Sequence, residues 1–361
     1  MKQHYIPRVY LKNFASRIDG DEFFVNVFDK KLNKHKEINI KNICAEKHLY
    51  TLPESTKVAT NIFAIEKLYS DFIEPMYQRA YQILTNNNIS AINDFQRGEI
   101  LTGIFQLYMR NPRFLKKSAE YHTLQINELY KEALTKNAKG LSYLDEDFSF
   151  KEWSKEQIIK YFINLSTKLF KEKHIIGIQE MISFHADAVF EINIVKDESQ
   201  YMTSDNPIVT EDIISEDEHP LLRSKEFFVP LNKKFMLRIF HDNTLSRNLI
   251  HRRFVPNGNI HSTNQYINNQ STRFIIADKK TFEDYAELEK IFNSTSIELK
   301  ISSIKQILED FPITEETREA TELLRDFYQK YSEGKITKYD EHEMMTKMKA
   351  LNVNLKKRKI K

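Results

Sequence analysis

From Asn61 to about Ile182 apolar residues recur at a spacing near 3.6, and from about His185 the spacing drops to two. A chain with that change has to bury helical stripes in one region and strand faces in the next, which leaves few architectures. Ile62, Ile65, Leu68, Phe72, Met76, Ala80 and Ile83 predict a long helix, with Pro75 as a kink or break. A second helix is expected from about Ser90 to Arg110, interrupted at Pro112 and resumed through Leu115, Tyr121, Leu124, Leu129 and Tyr130. The polar stretch from Thr135 to Asp147 reads as a connector or tip. A further helix runs from Ser154 to about Ile182, where Ser154 and Gln157 have the spacing of a capping box.

Strand signatures lie on both sides of this helical region. Phe23–Phe28 and Glu37–Ile40 predict a hairpin with a loop longer than two residues. His185–Ile194, Glu226–Leu231, Phe235–Phe240 and Arg273–Ala277 are the later candidates, with a helix from about Asn259 to Thr272 between them. More helices are expected from Glu315 to Tyr331 and from Asp340 to Leu351. Only 7 Gly and 9 Pro occur in 361 residues, too few for a sandwich or barrel of many tight turns. The expected class is α+β: a long helical layer packed on a small, mostly antiparallel sheet.

Composition narrows the setting. Hydrophobic residues make up 41% and charged residues 29%, which fits a globular chain with a sizeable core. The formal charge is +3, but Lys356, Lys357, Arg358, Lys359 and Lys361 leave the rest slightly acidic. Such a tail binds phosphates or is a solvated end. Cys44 is the only cysteine, which excludes an intrachain disulfide and a multi-cysteine zinc site. With no apolar leader and no membrane-length apolar run, a cytoplasmic protein with no membrane partner is expected.

Two short stretches concentrate polar chemistry. The first is His4-Tyr5-Ile6-Pro7-Arg8, entering a short helix at Pro7 with Tyr10, Leu11 and Phe14 on its buried side. The second is Thr203-Ser204-Asp205-Asn206-Pro207, a strand end running into a tight turn, because Pro207 drives Asn206 toward extended backbone. Such a turn aims a carboxylate, an amide and two hydroxyls at one point, or satisfies its own backbone.

Together these stretches resemble the bacterial family catalogued as domain of unknown function 4238. Glu66 and Glu74, Gln106 with Arg110 and Pro112, Pro230-Leu231, and Asn264 to Phe274 extend the likeness over roughly residues 3 to 277. Asn111 stands where the family has Thr, and Asn232 where Ser is usual. The resemblance implies one domain over 1–277, helix-rich at 60–184 and strand-rich at 185–277, followed by a helical extension over 278–361. It implies no activity.

The polar residues at those positions suggest roles. His4, Asp205 and Asn206 are the catalytic candidates, since an imidazole titrates near neutrality and a carboxylate and an amide can position water. Arg8, Arg110, Ser204 and Asn264 are candidates for substrate binding, and Glu66, Glu74 and Gln106 for support. This set suits hydrolysis of phosphodiester bonds in nucleic acid or a nucleotide, in a defence effector or toxin, and a divalent metal is compatible with it. The alternative is a non-enzymatic module that recognises an anionic ligand or a partner protein. The same residues also read as structural, with His4 and Arg8 capping helices or pairing with Asp205 and Glu66 to pin the N-terminal segment. Phosphate-loop, dinucleotide, nucleophile-elbow and zinc-protease signatures are missing. Arg247 with His251, and His241, His251 and His261 at intervals of ten, are discounted as a nuclease site and a metal ladder. Oligomeric state is not set by the sequence.

Overall fold

The computed structural model describes residues 2–54, 59–196, 198–211, 226–255 and 257–293, with a few positions between 318 and 333. The chain divides into two units, Met1–Thr281 and Phe282–Lys361. The acidic loop after Glu211, the basic tail and nearly all of the expected C-terminal helices lie outside the described residues.

The chain starts with β1 (Lys2–His4) and α1 (Arg8–Leu11), the latter extended by a 3-10 turn to Phe14. Pro7 sits at the N-cap, and its ring costs nothing there. Next come β2 (Arg17–Asp19), β3 (Glu22–Asp29), β4 (Lys34–Asn39) and β5 (Ala45–Lys47). β3 and β4 form the expected hairpin, and β5 pairs antiparallel with β1.

The helical layer holds α2 (Ala64–Leu68), α3 (Glu74–Thr85), α4 (Asp94–Met109) and α5 (Arg113–Thr135). Between α2 and α3 the chain makes a π-helical turn, Tyr69–Ile73, in which the Glu74 N–H donates to Tyr69 O. Pro75 supplies the local reason: it has no N–H for the Asp71 carbonyl, and its ring pushes that carbonyl away. α4 begins later than its sequence suggested, because Asn93 and Gln96 close a capping box at 2.8 and 3.0 Å. α4 is buried on several sides, as expected of a helix apolar most of the way round. At Gly103 a Cβ would meet the Tyr77 backbone at 2.8 Å, so glycine is what lets α3 and α4 approach.

The stretch read as a connector forms a hairpin, β6 (Gly140–Tyr143) and β7 (Glu146–Ser149). Its turn residues Leu144 and Asp145 both have positive φ, 50° and 61°. That geometry usually selects Asn-Gly, and here it carries no such signature. Leu141, Tyr143 and Phe148 point inward and pack with Ile126, Ile158 and Phe162 into a small second core. α6 (Lys155–Phe184) follows, opened by the Ser154–Gln157 capping box.

The remaining elements are β8 (Val189–Val195), β9 (Thr203–Ser204), β10 (Val209–Glu211), β11 (Glu226–Pro230), β12 (Phe235–Phe240), β13 (Ile250–Val255), α7 (Asn257–Gln270), β14 (Phe274–Ile276) and α8 (Lys279–Asn293). One sheet has the order β10-β11-β12-β8-β13 and a second has β2-β3-β14-β9, with β4 on the other edge of β3. All pairings are antiparallel except β13 beside β8. Arg247 and His251 therefore do not share a helix face, since His251 lies in β13. The fold is α+β with small, mostly antiparallel sheets. No described helix is long and apolar enough to cross a membrane.

Candidate functional site

Arg110 caps α4 at its C-terminus and is 1% exposed. A guanidinium taken that far from water needs partners on every side. Its Nη1 donates to Gln106 Oε1 at 3.0 Å and to Glu74 Oε1 at 3.2 Å, and its Nη2 donates to the His4 carbonyl. The plane lies over the Tyr69 ring, 4.0 Å from its centroid, and the Tyr50 hydroxyl donates to the Arg110 carbonyl. The Tyr50 N–H in turn donates to Gln3 Oε1 at 2.7 Å. One side chain thus ties β1, α3 and α4 together, with His4, Glu74 and Gln106 around it.

Several polar atoms close to Arg110 are buried without a hydrogen bond: Gln3 Nε2, Glu66 Oε2, Tyr69 Oη, Arg110 Nε and His174 Nε2. His174 reaches the group from α6 by stacking on Tyr50 and Tyr69, at ring separations of 5.3 and 5.8 Å. Its Nδ1 donates to the Phe170 carbonyl at 2.6 Å, because a carbonyl can only accept, so Nε2 carries the lone pair. Burial, helped by the Arg110 charge, pushes its pKa down to about 4. Burial also raises the Glu66 pKa, with Glu74 adding to the effect and Arg110 opposing it. His4 is shifted down by burial and then by Arg110 and Arg8, and its Nε2 donates to the Ile40 carbonyl at 3.2 Å.

Beside this cluster a cavity of about 450 Å³ opens between the α1 segment and α3. Arg8 and Lys12, four residues apart, supply one wall. Glu74, Gln78 and Gln82, each four apart on α3, supply the other with Tyr77 and Tyr81. The Arg8 and Lys12 side chains make no hydrogen bond or ion pair with any described residue, and Arg8 Nε is buried besides. The Lys12 ammonium lies 4.5 Å from the Phe23 ring centre. Glu22 is near enough to feel the Arg8 charge, but its oxygens are taken by Lys41 and Asn39. The two tyrosine oxygens accept from amides, Tyr77 from Asn13 at 3.1 Å and Tyr81 from Asn232 at 2.8 Å. Each phenol proton therefore remains without an acceptor among the described residues.

The Asp205 turn is built otherwise. The Asp205 carboxylate accepts the Thr272 N–H at 2.9 Å and the Arg273 N–H at 2.8 Å, while its own N–H donates to the Phe274 carbonyl at 3.0 Å. Burial raises its pKa against the pull of those backbone N–H groups. Ser204 Oγ accepts from the Asn206 N–H at 3.0 Å and donates to its carbonyl at 2.8 Å. Asn206 Nδ2 donates to Gln270 O at 3.1 Å, leaving Oδ1 without a partner. Asn264 bridges Met202 N at 2.9 Å and Gln200 O at 3.0 Å. None of these four lines the cavity. The turn meets the Arg110 cluster through Asn111, whose amide donates to the Asp205 carbonyl at 2.8 Å.

The structure therefore gathers His4, Arg8, Glu66, Glu74, Gln106 and Arg110 in one neighbourhood and sets Ser204, Asp205, Asn206 and Asn264 in another. Sequence reasoning missed Gln3, Lys12, Tyr50, Tyr69, Tyr77, Tyr81 and His174. Lys12 had a signal, its helical spacing from Arg8. The two departures from the family pattern, Asn111 and Asn232, each carry a side-chain hydrogen bond in or beside the site. Among the described residues no group of three or more His, Cys, Asp or Glu side chains is arranged to hold a metal ion.

A family model described as Protein of unknown function (DUF4238) matches residues 2–281. No curated protein and no solved structure matches the chain. The matched span contains the Arg110 cluster, the cavity and the Asp205 turn, and the chain belongs to the DUF4238 family.

Proposed function

We propose that the chain binds a small phosphorylated ligand in the cavity between the α1 segment and α3, in a cytoplasmic setting. The observation that carries this reading is that Arg8 and Lys12 have no ion-pair or hydrogen-bond partner among the described residues. Two cations four residues apart, with no carboxylate partner among the described residues, share a common space with Tyr81 and the side-chain amides of Gln78 and Gln82. A cavity so rich in donors is complementary to a group of several acceptor oxygens, and a phosphoryl group is that group. The volume falls in the ~300–1,000 Å³ range of small-molecule sites. It suits a nucleotide-sized ligand better than a stretch of nucleic acid.

The test is thermal unfolding with inorganic phosphate, pyrophosphate, nucleotides and short oligonucleotides, for the wild type and the double variant Arg8→Ala/Lys12→Ala. The reading expects a rise in melting temperature with a phosphorylated compound in the wild type and none in the variant. A rise of equal size in both would sink it.

Hydrolysis of a phosphoester is the second reading. It is favoured by Glu66, whose carboxyl is held toward its protonated form beside Glu74 and Arg110, and by the neutral His174. Under this reading water attacks the phosphorus and Glu66 protonates the leaving oxygen beside His4, while Asp205 and Asn206, outside the cavity, act only by holding their turn. Product analysis of the same incubations, with and without divalent metal, separates it from binding alone.

A further inference from the structure

The cavity contains one feature that a phosphate alone does not explain. Glu74 puts a carboxylate into a space otherwise lined by donors. Its Oε1 accepts from Arg110 Nη1 at 3.2 Å, which fixes the group, and its Oε2 takes no hydrogen bond from any described residue. A carboxylate oxygen held in place at the cavity wall, partly exposed and given no donor by the described residues, is available to accept one from a ligand. The same ligand must supply acceptor oxygens to Arg8 and Lys12. A group of donors set apart from a phosphate within one small molecule is the description of sugar hydroxyls, and a carboxylate is well suited to bind the hydroxyls of a ribose.

We infer that the ligand is a ribosyl phosphate, with its phosphate on Arg8 and Lys12 and its sugar hydroxyls on Glu74 Oε2. This rests on the phosphate reading above and narrows it. The amides of Gln78 and Gln82, on the α3 face that follows Glu74 and without a hydrogen bond among the described residues, lie where a base or a further hydroxyl would meet them. Side-chain amides pair with base edges in two-bond geometry. Arg110 acts here as a positioning residue: it holds Glu74 with one bond and leaves the other oxygen for the ligand.

The experiment is calorimetric titration of the wild-type full chain with AMP, 2′,3′-dideoxy-AMP, ribose 5-phosphate, glycerol 3-phosphate and pyrophosphate. Removing both sugar hydroxyls should weaken binding by about tenfold or more, since hydrogen bonds to a charged acceptor are at stake. In Glu74→Gln, which keeps an acceptor for Arg110, AMP and its dideoxy form should bind alike. Tighter binding of AMP than of ribose 5-phosphate assigns a nucleotide, and equal binding assigns a sugar phosphate. Equal binding of AMP and dideoxy-AMP by the wild type overturns the inference and leaves the phosphate reading standing. If no phosphorylated compound binds, both fall.

Discussion

The Asp205 turn and the Arg110 cluster are joined by adjacent residues, Asn111 and Arg110, yet they use polar groups in opposite ways. In the turn nearly every polar atom has a partner within the chain, and the carboxylate is spent on two backbone N–H groups. Around Arg110 five buried polar atoms lack a hydrogen bond, and the neighbouring cavity presents two cations with no partner among the described residues. Burying polar groups is tolerable only when they are satisfied, so the first region needs nothing more, while the second leaves groups available to a bound molecule. On that contrast Asp205 is a clamp holding the turn to the chain between α7 and β14, and the cavity is the place for the proposed ligand.

The contrast predicts different losses. Arg110→Ala should destabilise most, by about 3–5 kcal/mol, because it strands Glu74 in a half-buried position and unties β1 from α4. Chemical denaturation reads this directly, and Arg110→Lys should recover little, since an ammonium cannot span Gln106, Glu74 and the His4 carbonyl in the same geometry. Asp205→Ala should cost about 3 kcal/mol, the value of two charge-assisted bonds to buried N–H groups. What remains folded should bind the ligand with unchanged affinity. A variant that keeps its stability and loses ligand would reverse the assignment of the two regions.

His174 sharpens the comparison through pH. Its pKa in the folded chain is near 4, below the ordinary histidine value of 6.5, so the unfolded chain takes up the proton first. Its contribution is complete above about pH 6.5 and is lost as pH falls toward 4, on the order of 3 kcal/mol in all. His4 and His122 are shifted in the same direction and add to the slope. His174→Phe should flatten stability over that window. An unchanged slope would mean that the imidazole is not held neutral there.

Much of the fold was legible because long elements repeat their period many times. The helix after Ser154 announced both its cap and its stripe, and the hairpin of β3 and β4 showed in alternation. The hairpin of β6 and β7 did not, because Leu144 and Asp145 take positive φ without the residues that normally mark such turns. β1 has three residues, too few for any period.

For the site, ten polar residues drew notice, and six of them, His4, Arg8, Glu66, Glu74, Gln106 and Arg110, fall together. Tyr50, Tyr69 and His174 did not, since only the packing of α6 beside the π-helical turn brings those rings together. The Asp205 turn was visible as chemistry but not as a clamp. Its deciding partners, Thr272 and Arg273, lie 67 and 68 residues along the chain, and a turn that binds backbone looks in sequence like one that binds substrate.

The most direct measurement is calorimetric titration of pyrophosphate into the wild type and Arg8→Ala/Lys12→Ala, each at low and moderate salt. The account predicts one saturable site in the wild type, weakened by salt, and at least about tenfold weaker in the variant, whose stability should stay within roughly 0.5 kcal/mol. Equal affinity in the two proteins, or no binding by a fully folded wild type, would contradict it.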